Sequence, residues 1–246
     1  MTQSSNDMAI WVTWYDLADA VRSDHLAWVH TRYAPNVLER PGVLWAAHYA
    51  CERKTTHAHP YPGRFATDVP AGGQHLLLFG AESAHAFARP VPRKLHAGLP
   101  ESDQAMLAQR LNARSNIFVE QARMNGPEAA SRDPRSALSP CIQLGSLNLK
   151  SYDDEDEMLD WYANWRMPSM QTLPGCVGIR KLVSVSGWAK HGALYEFVSV
   201  EARNKNFLGY ESAYPEMDAW SNSLIPKTLH APGSAHVGSR IWSAVK

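Results

Sequence analysis

The spacing of apolar and polar positions divides the first half of the chain into strands and helices. β-Branched and aromatic residues predict a strand over 8–17, and apolar positions then recur at helical spacing over 18–40. Pro41-Gly42 should end this helix, because proline cannot continue a helix and glycine permits the turn. The later elements are strands over 43–52 and 74–83, a helix over 100–113 and a strand over 115–124. This order is β-α-β-β-α-β.

The second half repeats that order. Residues 125–140 are small, polar and broken by Pro and Gly, so they predict a linker. The later elements are strands over 142–151, 176–186, 193–202 and 235–245, with helices over 153–170 and around 217–228. We therefore predict one repeat over 8–124 and a second over 141–246.

Two short stretches show the duplication residue by residue. WVHTRYAPNVLERPG begins at Trp28, and WYANWRMPSMQTLPG begins at Trp161. Their tryptophans and their Pro-Gly turns, which end at Gly42 and Gly175, are separated by the same 133 residues (161 − 28 and 175 − 42). The two halves therefore share one helix and one turn.

A β-α-β-β-α-β unit is the ferredoxin-like split unit, and two of them pair through their sheets because one sheet alone leaves a face uncovered. The chain resembles the dimeric α/β-barrel superfamily with both halves fused in tandem. The helix from His30 to Pro35, ending at Pro41-Gly42, is similar to that of the EthD-type group. The resemblance implies an α+β fold, a pseudo-dimeric barrel with antiparallel sheets. It also implies an enzyme without an organic cofactor.

Charge and composition exclude several classes of protein. The 24 Lys+Arg and 24 Asp+Glu balance, so we expect neither nucleic acid nor a membrane as partner. Three scattered cysteines give no disulfide framework or zinc knuckle, and no apolar run approaches the ~18 residues of a membrane span. We expect a cytoplasmic protein that binds a small molecule, with homo-oligomerisation left open. Nine Trp and eleven His suit a pocket for an aromatic or apolar ligand.

Common cofactor and hydrolase motifs are missing. The chain has no GxGxxG after a strand, no GxxxxGK[ST], no GxSxG, no HExxH and no CxxCH. These absences remove support for nucleotide binding, serine hydrolysis, common zinc proteolysis and covalent haem. They favour a site in which acid and base groups of the protein act without a cofactor.

Histidines distinguish the first half from the second. In the 133-residue register His30 falls opposite Ala163, and the third strands, aligned by eye, place His75 opposite Ala193. His48 lies on the strand that forms a hairpin with the strand of His75, so the two imidazoles are expected to lie close together. We therefore predict that the first half holds the active site.

The predicted catalytic residues are His30, His48, His75 and Tyr33. An imidazole with an ordinary pKa of ~6.5 can act as acid or base at neutral pH. One histidine would remove a proton next to an activating group, and a second histidine or Tyr33 would donate one. The predicted substrate-binding residues are Trp11, Trp28, Trp45, Phe79, Arg166 and Tyr195.

A long loop over 53–73 has only a short counterpart over 187–192, and we predict that it forms a lid beside the first-half pocket. Within it, His57 and His59 have a spacing that permits divalent-metal binding together with His75.

Three functions follow from these patterns. The leading hypothesis is a cofactor-independent lyase, dehydratase, isomerase or cyclase acting on a small aromatic or apolar metabolite. The first alternative is a metal-dependent enzyme of the same fold that uses His57, His59 and His75. The second is a non-catalytic binder of a hydrophobic small molecule.

Overall fold

The computed structural model describes residues 7–52, 63–133 and 137–246. Its strands are β1 Ala9–Asp16, β2 Val43–Cys51, β3 His75–Ala81, β4 Leu111–Asn125, β5 Cys141–Leu149, β6 Cys176–Ser186, β7 His191–Phe197, β8 Thr228–His230 and β9 His236–Val245. Its α-helices are α1 Asp19–Trp28, α2 Ala34–Leu38, α3 Pro92–Ala97, α4 Glu101–Ala108, α5 Glu155–Trp161, α6 Met167–Ser169, α7 Val200–Asn206 and α8 Pro215–Leu224. Within these ranges no helix is long and apolar enough to cross a bilayer.

Eight of these strands close into an antiparallel barrel. The order around the barrel is β1-β3-β2-β9-β5-β7-β6-β4, and β4 pairs again with β1. The two repeats are joined where β2 pairs with β9 and where β4 pairs with β6, while β8 extends the edge of β5. The predicted α+β fold, a pseudo-dimeric barrel of two tandem ferredoxin-like repeats, is confirmed.

Both faces of the barrel wall are buried, which explains the nearly continuous apolar strands. Every residue of β3 is buried, for example, because one face points into the barrel and the other is covered by helices. The apolar side chains therefore form one cluster inside the barrel and one beneath the helices of each repeat. The interior cluster includes Ile10, Val12, Trp14, Trp45, Tyr49 and Phe118.

The first helix of each repeat has the same irregularity. One π-helical turn spans Val29–Tyr33 and another spans Tyr162–Arg166, again 133 residues apart (162 − 29). Gly42 and Gly175 both have positive φ, +77° and +82°, at the following turn. The duplication therefore extends to local backbone geometry. Single π turns within helices occur often at functional sites.

Gly175→Ala is expected to lower the free energy of unfolding by about 1–3 kcal/mol. A side chain at positive φ is strained, and a Cβ atom at this position would lie 2.8 Å from the Cβ of Ala202. Urea denaturation measures the change. An unchanged midpoint would show that the turn relaxes without cost.

One predicted strand is wrong at its end. The strand over 193–202 stops at Phe197, and α7 begins at Val200. The side chain of Ser199 accepts a hydrogen bond from the backbone N–H of Ala202 and so caps the helix. This correction matters because the segment after α7 reaches the candidate site.

Candidate active site

The structure brings the three predicted histidines together. Nε2 of His30 lies 2.8 Å from Nδ1 of His48, and Nε2 of His48 lies 3.0 Å from the Tyr15 hydroxyl. The ring of His75 lies 5.4 Å from the rings of both Tyr15 and His48. The hairpin therefore places His48 beside His75 as predicted, and the helix adds His30.

Close packing holds this chain of imidazoles. His48 is fully buried, and burial lowers its pKa well below 6.5, helped by the charges of His75 and His30. Burial also lowers the pKa of His75 to about 4 and raises that of Tyr15 to about 12. None of the three histidines lines either of two cavities in the described part of the chain, of about 140 Å³ and about 220 Å³. Their catalytic role stays a prediction.

The other predicted first-repeat residues lie in two different layers. The Tyr33 hydroxyl lies 2.7 Å from Nε2 of His96, and Trp28 stacks on Tyr33 with ring centroids 5.1 Å apart. Trp11 and Phe79 lie in the same layer, beneath the helices. Trp45 lies on the opposite face of the sheet, inside the barrel. The sheet therefore separates Trp45 from the other predicted residues.

Of the three histidines in the metal-binding hypothesis, only His75 lies within the described residues. His57 and His59 lie outside the described residues. Across 7–52, 63–133 and 137–246 no group of His, Cys, Asp and Glu side chains is arranged to hold a metal ion. The metal hypothesis remains a prediction that rests on the loop.

The buried histidines predict acid instability. Burial lowers the pKa of His25, His75 and His96 from 6.5 to about 4. Between these values the unfolded chain binds protons that the native state excludes, so stability is complete above pH ~6.5 and falls as the pH drops toward 4. Urea unfolding across this range should show the decline, and His75→Phe should make it shallower. An equal slope in the variant would contradict this account.

The second repeat contains a cavity of about 140 Å³ between its first helix and its sheet. The π turn and the end of α5 form one wall, and strands β5 and β7 form the opposite wall. The lining residues include Gln143, Gly145, Leu147, Met158, Trp161, Tyr162, Arg166, Ala193, Tyr195, Glu211, Thr228 and His230. Arg166 and Tyr195, both predicted to bind substrate, therefore meet at this cavity.

Strand pairing corrects the alignment of the two third strands. Ala46 pairs with Phe79 in the first repeat, and Ile179, 133 residues later (179 − 46), pairs with Tyr195 in the second. By the same register the counterpart of His75 is His191, so the alignment by eye was wrong by two residues. The two hairpin loops differ in length, and the strand alignment could not be taken from sequence order.

The corrected register explains why the cavity lies in the second repeat. Thr13 and Leu77 are paired in the first repeat, and the corresponding pair in the second is Gly145 and Ala193. Smaller side chains at both positions leave room beneath the first helix of the second repeat, at the point where Leu77 is buried in the first repeat. Interiors otherwise pack closely, so missing side-chain volume of this kind remains open.

Arg166 is the central polar group of the cavity wall. Its Nε donates to the Tyr195 hydroxyl at 2.8 Å, and its Nη1 donates to the Tyr210 hydroxyl at 2.7 Å and to Glu211. The guanidinium lies over the rings of Trp161 and Tyr195, with 5.2 and 5.5 Å to the centroids. Within the described residues Nη2 has no hydrogen-bond partner. It is a free donor on a residue that lines the cavity.

A second polar group borders the cavity at β8. Nη2 of Arg64 lies 3.0 Å from Nε2 of His230, and the backbone N–H of His230 donates to the Arg64 carbonyl at 2.7 Å. Ala66 donates in turn to the His230 carbonyl at 2.8 Å. The described end of the long first-repeat loop therefore covers the cavity of the second repeat. The loop was predicted to lie beside a pocket of the first repeat.

Lys181 and His191 replace His48 and His75 in the second repeat. Nζ of Lys181 lies 2.9 Å from Nδ1 of His191, whose Nε2 lies 2.7 Å from Glu155. Burial lowers the pKa of Lys181 to about 7. The ammonium also lies 5.0 Å from the ring centroid of Tyr162, which lines the cavity. Lys181 therefore contacts the cavity wall through Tyr162.

Several of the cavity residues were not predicted from the sequence. Trp161 could have been found, because it is the counterpart of Trp28 in the 133-residue register. Glu211 could not have been found, because it follows helix α7, the start of which was predicted to be part of a strand. His230 lies on the short strand β8, which no pattern indicated.

No family model matches, and no curated protein matches. Among solved structures, a candidate monooxygenase from Fusobacterium nucleatum shares 11% identity with a TM-score of 0.58 over 98% of this chain and 95% of that one. An anthrone oxidase-like protein shares 8% identity with a TM-score of 0.61 over 100% and 95%. A candidate monooxygenase from Lactobacillus acidophilus NCFM shares 12% with a TM-score of 0.54 over 97% and 96%. These identities establish the fold alone.

Proposed function

From the dimeric α/β-barrel fold of this chain and the cavity in its second repeat, we propose an acid–base enzyme acting on a small aromatic or apolar metabolite. The size of the cavity supports this substrate class. Its volume of about 140 Å³ is close to that of an engineered apolar cavity of roughly 150 Å³ that binds benzene. One ring, or an apolar group of similar size, therefore fits.

The observation that carries the proposal is the free Nη2 of Arg166 at an aromatic wall. A guanidinium held by hydrogen bonds to Tyr195, Tyr210 and Glu211 is fixed before the substrate arrives. A preorganised cationic donor stabilises negative charge that develops on a substrate oxygen. Enolate and phenolate oxygens are the anions that form when an aromatic ketone or a phenol loses a proton.

Glu211 is the proposed proton acceptor. Its carboxylate lines the cavity and is ion-paired with Arg166, so base and oxyanion donor are adjacent. The lone pair on Nε2 of His230 is engaged by Arg64, which makes the imidazole the weaker candidate. In the proposed step Glu211 removes a proton next to a carbonyl or from a phenol. Arg166 and the Tyr195 hydroxyl then bind the resulting oxygen anion.

The proposed proton transfer needs only side chains of this chain. We therefore propose an enzyme that acts without a cofactor. Lyase, dehydratase, isomerase and cyclase reactions can each begin with such a proton transfer. Two solved structures of similar fold are described as a candidate monooxygenase and as an anthrone oxidase-like protein. Oxygen consumption should therefore be measured together with proton transfer. Metal analysis of the purified protein tests the metal-dependent alternative.

Hydrogen–deuterium exchange tests the proposal without knowledge of the natural substrate. A panel of single-ring ketones, beginning with phenylacetone, is incubated in D₂O, and NMR follows exchange next to the carbonyl. The wild-type protein should accelerate exchange for at least one compound, and Glu211→Gln should remove the acceleration. Binding without exchange across the panel would favour the non-catalytic binder, and catalysis unaffected by Glu211→Gln would reject Glu211 as the base.

A further inference from the structure

The first repeat has an open cleft of about 220 Å³ on the same face of the barrel wall. Thr13 and Ser115, the counterparts of two cavity positions in the second repeat, line this cleft, and their hydroxyl oxygens are 2.7 Å apart. Arg110 and His96 also line the cleft. Neither His30 nor any other predicted catalytic residue does.

Arg110 carries a charge that nothing in the described part of the chain neutralises. Its Nε donates to Nε2 of His25 at 3.3 Å, and its buried Nη2 has no hydrogen-bond partner there. The guanidinium carbon lies 4.6 Å and 4.9 Å from the ring centroids of Tyr15 and Tyr33. These ring faces attract a cation but supply no counter-ion.

The groups around Arg110 do not supply the missing negative charge. His25 and His96 both have their pKa lowered to about 4, first by burial and then by the charge of Arg110. Both imidazoles are therefore neutral at pH 7. The nearby carboxylate of Asp103 is committed elsewhere, with an ion pair to Arg32 at 3.0 Å and a hydrogen bond from Trp28 at 3.0 Å. A largely buried guanidinium without a counter-ion is costly unless an anion binds it.

We propose that this first-repeat cleft binds a small oxyanion, a carboxylate or a phosphate, on Arg110. Guanidinium groups bind both anions through charge-assisted hydrogen bonds. One of the paired hydroxyls of Thr13 and Ser115 donates its hydrogen to the other, and the accepting hydroxyl keeps its own hydrogen free, so the cleft offers one further donor. This site is separate from the second-repeat cavity, where Arg166 holds the equivalent charge against Glu211.

Titration calorimetry tests the proposal with sodium acetate and sodium phosphate, and sodium chloride at matched ionic strength serves as the control. The wild-type protein should bind at least one of the two oxyanions, and the choice between them identifies the anion class. Arg110→Gln should weaken binding by roughly 10- to 100-fold. Arg166→Gln, which removes the guanidinium of the other repeat, should leave this binding unchanged.

A second variant separates loss of anion binding from loss of folding. Thr13→Val keeps the shape of the side chain and Arg110 itself, and should weaken oxyanion binding by several-fold while circular dichroism stays unchanged. Absence of binding to both anions, or equal affinity in wild-type protein and a folded Arg110→Gln, would overturn the proposal. Binding lost in Arg166→Gln but kept in Arg110→Gln would assign the anion to the second repeat. Proton-exchange catalysis is scored separately, so failure here does not affect the proposed function.

Discussion

Arg166→Gln is expected to lower kcat/KM by about 10²- to 10³-fold, the cost of removing one preorganised oxyanion donor. Glutamine keeps part of the side-chain volume but loses the positive charge and the free Nη2. The loss should appear mainly in kcat, because negative charge on the substrate oxygen develops only during proton transfer. Steady-state kinetics on the most active exchange substrate measures it.

The controls separate chemistry from folding. Arg166→Lys keeps the charge but not the planar fork, and should recover only part of the activity. Arg32→Gln removes a half-exposed arginine of the first repeat and should leave kcat/KM unchanged. If folded Arg166→Gln retained wild-type kcat, the proposed oxyanion site would be rejected.

Ala193→Leu is expected to lower kcat/KM by roughly 100-fold or more, because each methylene added against a bound ligand costs about 10- to 200-fold. Leucine is the residue that the first repeat holds at the equivalent position, Leu77, where its side chain is buried. The substitution therefore tests whether open volume at Ala193 is what makes the second repeat functional. Fluorescence titration with phenol should show the matching loss of affinity.

Ala193→Ser is the matched control, since it changes polarity at this position with little added volume and should change activity only a few-fold. Gly145→Ala is a milder filling variant, because a Cβ there would lie 3.8 Å from Ala235 in ordinary contact. Its effect should fall between those of the other two. Full activity in a folded Ala193→Leu would place the substrate elsewhere.

Much of the fold could be predicted from the sequence because the same helix and turn pattern occurs in both halves. The tryptophan and Pro-Gly register identified the duplicated helix, and the order of elements then identified the barrel. The π turn at Val29–Tyr33 could not be predicted, because the one-position shift that an extra residue causes is hidden by the normal alternation of three- and four-residue steps between apolar positions. The early end of β7 was signalled by Ser199, a capping residue that strand-like Val198 and Val200 obscured.

The site was predicted less well, for a physical reason. Hairpin geometry brought His48 and His75 together as expected, but proximity does not say whether a space remains beside them. Cavity volume is a sum over several elements, and here it depends on small differences at Gly145 and Ala193. The three predicted histidines therefore marked a part of the first repeat that lines neither the cavity nor the cleft. Arg166, predicted to bind substrate, lines the second-repeat cavity, and its role there stays a prediction.

The most direct test of the account is the position of a bound ligand. A crystal structure with 4-nitrophenol should show the ring in the second-repeat cavity, beside Trp161, with the phenolate oxygen within hydrogen-bond distance of Nη2 of Arg166. A ring bound against His30 and His48 in the first repeat, with the second-repeat cavity empty, would contradict the account.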